Sequence, residues 1–186
     1  MPRKSILAGT ALTLALVALP ALVLAQTPNL SGTWKMNSEK SVLPQAPQGG
    51  GGGGRGGRAP GGMGGSMFPQ QITIKHEGTK VEMTWTQPAM GRSSSAQNIT
   101  RTFTTDGKPT DNDQGGRKVV VKAVWKNNML MVDETSESAT PDGQTRSNTT
   151  SYSLTLSPDG KSMLRYQEMG RSDQILSANV VYDKIK

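Results

Sequence analysis

The side chains able to do chemistry in this chain are few and scattered. His76 is the single histidine, and there is no cysteine. Zinc centres draw on several imidazole or thiolate ligands, so this donor set does not assemble one. Asp111-Asn112-Asp113-Gln114-Gly115 has the composition of a calcium loop. It lacks the third acidic position and the closing glutamate, and reads as an ordinary loop. Met129 and Met131 share a strand face, and Met83 and Met90 lie near each other in sequence. Thioethers of this kind bind Cu(I), but no dense methionine cluster occurs, and methionine is also adaptable core filler. Serines are plentiful, yet there is no Gly-x-Ser-x-Gly elbow. His76 is no credible partner for one, because it adjoins the Glu77-Gly78 turn and is expected to be exposed. No catalytic residue, metal or cofactor is nominated, and a binding or structural role is favoured over an enzyme.

Aromatic and carboxylate side chains are the better candidates for binding. Trp34, Trp85 and Trp125 are the three tryptophans. Each suits core packing or the wall of an apolar cavity. Glu134 and Glu168 fall in phase with apolar neighbours, and an inward carboxylate needs a partner, water or a ligand cation. Both lie toward strand ends, where solvent is near.

Strands must position these groups. Gln71–Glu77 alternates, with Ile72, Ile74 and His76 on one face. Lys80–Thr86 alternates too, with Val81, Met83 and Trp85. Gly78-Thr79 between them suits a type II′ turn, because glycine tolerates positive φ at its first central position. The register then sets Ile74 beside Met83, Ile72 beside Trp85 and Lys75 opposite Glu82. Asn127-Asn128 forms a second tight turn from residues that tolerate left-handed backbone. It pairs Trp125 with Leu130, Ala123 with Val132 and Val121 with Glu134, and on the other face Lys122 with Asp133 and Val124 with Met131. A third hairpin turns at Pro158-Asp159-Gly160. It aligns Leu154 with Leu164 and Tyr152 with Tyr166, leaving Ser153, Thr155, Met163 and Arg165 on the opposite face.

Nine strands are expected: Ser31–Met36, Gln71–Glu77, Lys80–Thr86, Asn98–Thr105, Arg117–Lys126, Met129–Glu137, Thr145–Leu156, Lys161–Met169 and Gln174–Lys184. The fold class is all-β, an antiparallel up-and-down meander. A meander this long exposes two edges unless it closes, so a barrel of about 8–10 strands is predicted. A β-sandwich is the alternative.

Residues 1–25 read as a Sec-type signal peptide. Arg3 and Lys4 form the positive region, Ile6 to Leu24 is uncharged and apolar or small, and Val23-Leu24-Ala25 precedes a cut at Gln26. The alternative, an uncleaved anchor, needs a longer uninterrupted apolar run than one containing Gly9, Thr10, Thr13 and Pro20. The exported chain is expected to be periplasmic or extracellular, with no stable membrane span after cleavage. Residues 26–186 are expected to form one domain, held without disulfides. Within it, 44–69 is a glycine-rich loop that cannot form packed core, and its role is open between linker and lid. The net charge of +7 comes from dispersed basic residues. Gly54-Arg55-Gly56-Gly57-Arg58 lacks the interleaved aromatics of a single-strand-binding segment, so nucleic acid is not an expected partner.

Leu30-Ser31-Gly32-Thr33-Trp34-Lys35-Met36-Asn37, followed by Glu39-Lys40-Ser41, resembles the opening of secreted bacterial lipocalin-like proteins, a calycin-type group mostly of unassigned function. Ala123-Val124-Trp125, Leu156-Ser157-Pro158-Asp159-Gly160-Lys161 and Val181-Tyr182-Asp183-Lys184 resemble the rest of that pattern. The resemblance implies that Trp34 plugs the closed end of the barrel, that Gly32 permits close approach there, and that a basic side chain from the last strand covers the indole. Lys184 is the candidate, in place of the usual arginine. Two functions follow as expectations. The first is a non-enzymatic barrel binding a small lipophilic molecule in its cavity, with Trp85, Trp125, Tyr152 and Tyr166 as lining and Glu134 near the mouth. The second is an envelope structural or interaction module with a filled barrel, offering Val120, Val124 and Met131 to a protein partner.

Overall fold

A computed structural model describes residues 27–44, 68–87, 95–114, 117–140, 142–171 and 174–186. The leader and residues 45–67 of the glycine-rich segment lie outside the described residues, as does Met90. Ten strands form one antiparallel sheet: β1 Gly32–Met36, β2 Gln71–Glu77, β3 Lys80–Gln87, β4 Gln97–Thr104, β5 Thr110–Gln114, β6 Arg117–Lys126, β7 Met129–Ala139, β8 Thr145–Leu156, β9 Ser162–Arg171 and β10 Gln174–Lys184. Every strand pairs with its sequence neighbours except β4 and β5, and β1 pairs with β10, so the meander curls into a nearly closed barrel.

Two hairpins follow their sequence registers. Ile72 pairs with Trp85, Ile74 with Met83 and Lys75 with Glu82. Lys75 Nζ donates to Glu82 Oε1 at 2.8 Å, and Gly78 takes φ +59° at the turn. Asn127 and Asn128 both adopt positive φ, at 50° and 59°, and Trp125 pairs with Leu130, Val121 with Glu134 and Lys122 with Asp133.

The third hairpin is a correction. Tyr152 pairs with Gln167, Ser153 with Tyr166 and Leu154 with Arg165, one residue away from the expected register. The cause lies in the turn. The Ser157 carbonyl accepts from Gly160 N at 2.9 Å, and the Ser157 hydroxyl accepts from Ser162 N at 2.9 Å. The side chain thus stands in for a backbone acceptor, and the loop holds one more residue. A one-residue slip exchanges the faces of a strand. Met163 and Gln167 are buried, while Leu164 and Tyr166 are exposed.

β5 is a second correction, because the segment expected as a loop is a strand. Its Thr110, Asn112 and Gln114 are half-buried and its Asp111 and Asp113 exposed. It alternates uncharged with charged residues, not apolar with polar, so hydropathy gives it no signature. At the seam between β4 and β5, the Asn112 amide imitates a strand backbone. Its Oδ1 accepts from Thr102 N at 2.8 Å and its Nδ2 donates to Thr102 O at 3.0 Å. Asn112→Ala is expected to cost about 1–2 kcal/mol and to speed exchange of the Thr102 amide. Urea denaturation and hydrogen exchange measure both, and unchanged Thr102 protection would contradict this closure.

The core fills one end of the barrel. Leu30, Trp34, Phe103, Leu130, Leu154, Met163 and Tyr182 are all fully enclosed there. Trp34 Nε1 donates to Leu30 O at 2.9 Å, and Lys184 Nζ sits 5.2 Å from the centre of the indole. Gly32 has φ +145°, and a Cβ on it would lie 2.5 Å from Lys184 Cε and 2.7 Å from Lys186 O. Behind β1, Asp183 accepts from Asn37 Nδ2 at 2.6 Å and from Ser162 Oγ at 3.0 Å, which ties the turn after the first strand to the last one.

Candidate functional site

Above this core the interior opens into a cavity of about 340 Å³. It lies where β3 ends and β4 begins, and its wall includes Phe68, Trp85, Ile99, Arg101, Glu134 and Arg165, with Gln114, Arg117, Val119 and Gln167. The apolar alternation of β4 turns Ile99, Arg101 and Phe103 inward. Arg101 therefore occupies a core phase, with its side chain 7% exposed. A buried guanidinium must be paired and its donors satisfied. Nε donates to Glu134 Oε2 at 3.3 Å, Nη1 to Thr100 O at 3.3 Å and Nη2 to Gln114 Oε1. The group also stands 5.7 Å from the Trp85 ring centre.

Glu134 is held twice, since its Oε1 accepts from Tyr152 Oη at 2.8 Å. Burial, and then the Glu134 charge, raises the Tyr152 phenol well above its usual range, so it stays a donor. Tyr152 in turn lies beneath Arg165, whose guanidinium carbon is 3.9 Å from the ring centre. Arg165 Nη2 donates to Gln167 Oε1 at 2.9 Å. Its Nε is buried and meets no acceptor among the described residues.

The chain matches no protein-family model and no curated protein. Its fold is an all-antiparallel, barrel-like sheet consistent with the calycin type.

The structure brings part of the expected binding set together. Trp85 and Glu134 are in the cavity wall. Tyr152 is buried behind them and reaches the site through Glu134. Trp125 lies away from the cavity, stacked on His76 with ring centres 6.2 Å apart. Tyr166 is on the outer face, donating to Glu168 Oε1 at 2.6 Å. The register slip in the β8–β9 hairpin turns Tyr166 outward, whereas Trp125 keeps its expected register and packs half-buried against the core. Glu168, expected in apolar phase, is exposed with Tyr166. Gly32, Trp34 and Lys184, expected as the plug, do meet, and none of them lines the cavity. Arg101, Gln114, Arg165, Gln167 and Phe68 are wall residues that the sequence reading missed. Arg101 had a signal, its phase between Ile99 and Phe103.

His76 is buried, 7% exposed, where exposure was expected. Its Nδ1 accepts from Leu30 N at 3.3 Å. The backbone before β1 covers the ring despite its place beside a turn. Burial lowers its pKa below the usual 6.5. The unfolded chain therefore takes up the proton first, and stability is full above about pH 6.5 and falls below it. Urea unfolding across the mildly acidic range is expected to show this slope, and His76→Gln to flatten it.

Proposed function

We propose that this chain is an exported, lipocalin-like barrel that carries a small molecule in the cavity between Trp85 and Arg165. The observation that carries this reading is the division of the interior. One end is packed solid around Trp34, and the other holds a cavity of about 340 Å³, at the lower end of the ~300–1,000 Å³ that small-molecule sites occupy. The Trp34–Lys184 contact supports the lipocalin-like assignment, and the leader supports export. The wall mixes apolar groups (Phe68, Trp85, Ile99, Val119) with polar ones, so the cargo has both an apolar part and a polar part.

A second reading, a protein-interaction module, draws on the outer face. Val124 and Met131 pair across β6 and β7 and are 47% and 37% exposed, whereas Val120 is half-buried. Tryptophan quenching by lipophilic ligands separates the readings. Quenching is expected, and Trp85→Phe is expected to abolish it while Trp125→Phe leaves it. Quenching by no lipophile, or a signal residing in Trp125, would count against the carrier.

A further inference from the structure

We propose that the cavity selects an anion: a short amphiphile whose carboxylate or phosphate head is held by Arg165, with its apolar body along Trp85 and Ile99. This rests on the carrier reading above. Charge balance carries it. Arg101, Arg117 and Arg165 line the cavity against one carboxylate, Glu134. That carboxylate is already engaged on both oxygens, by Arg101 and by Tyr152.

Arg101 is also satisfied on its other nitrogens, by Thr100 O and Gln114. Arg165 is different. Among the described residues no carboxylate pairs with it, Gln167 accepts from its Nη2, and its buried Nε has no acceptor. Its side chain lines the cavity with no carboxylate against it, an unpaired charge withdrawn from bulk water is costly, and a guanidinium fork takes a carboxylate or phosphate through two parallel hydrogen bonds. The plane is held in advance by the Tyr152 ring at 3.9 Å and by Gln167, so little ordering is needed when the anion arrives. A cationic ligand meets surplus positive charge and a counterion already shared. A neutral alcohol brings a weaker acceptor to the guanidinium. The volume admits a short chain and not a two-tailed lipid.

Isothermal titration of the purified protein with octanoate, octyl phosphate, octanol and octyltrimethylammonium tests this. At least one anion is expected to bind about ten-fold or more tightly than octanol, with the ammonium weakest. The two anions distinguish a carboxylate head from a phosphate head. Arg165→Met is expected to bring the anion down to about octanol's affinity and to weaken octanol far less than the anion. Where that variant does not fold, Arg165→Lys serves: it keeps the charge, loses the fork, and is expected to weaken the anion several-fold. Octanol binding as tightly as both anions would overturn the anion inference and leave the carrier intact. An unchanged anion affinity in the Arg165 variants would overturn the role of Arg165. Binding of no amphiphile would overturn the carrier reading itself.

Discussion

Trp34→Ala is expected to lower the unfolding free energy by about 4 kcal/mol, within the ~3–5 kcal/mol typical of a fully buried tryptophan. The indole is completely enclosed and is the largest side chain in the core. Its loss removes the packing of Leu30 and the hydrogen bond to the Leu30 carbonyl, so a cavity and an orphaned acceptor arise together. Relief by collapse is limited. The backbone around Gly32 is already in close contact with Lys184 and with the Lys186 carbonyl, and β1 is hydrogen-bonded on both sides, to β2 and β10. Lys184→Met removes only the exposed cation above the ring and is expected to cost far less. Urea denaturation measures both. A loss below about 1.5 kcal/mol for Trp34→Ala would contradict its role as the plug.

Glu134→Ala is expected to cost about 3 kcal/mol, the lower part of the ~3–5 kcal/mol seen when a buried ion pair loses one partner. The lower figure applies because Glu134 faces the cavity and its side chain is 17% exposed. The substitution leaves Arg101 Nε and the Tyr152 hydroxyl without their acceptor. Much of the cost is the uncompensated guanidinium, so the double variant Arg101→Met/Glu134→Leu is expected to recover a large part of it. Additive losses in that double variant would show that the two side chains are not coupled.

The barrel was legible in the sequence where turn chemistry and alternation agreed. Gly78 and the Asn127-Asn128 pair need positive φ, and each fixes the register of strands whose faces already alternate. The β8–β9 hairpin was misread because a side-chain hydroxyl, not a residue pattern, sets the length of its turn. β9 carries apolar or aromatic residues in both phases, Met163 in one and Leu164 and Tyr166 in the other, so hydropathy could not expose the slip. β5 was hidden for a related reason, having no apolar phase at all. The candidate site was half legible. Trp85 and Glu134 stand in good registers, whereas the misread β8–β9 register puts Arg165 on the wrong face. Arg101 was visible in phase but unremarked, because an arginine between Ile99 and Phe103 gains meaning only when Glu134, Gln114 and Trp85 converge on it from other strands.

Native mass spectrometry of the protein purified from its own host tests the carrier account most directly. A non-covalent adduct of small-molecule mass, released on denaturation, is the predicted result. The bare mass of the chain under gentle ionisation, with nothing extracted on unfolding, would contradict it.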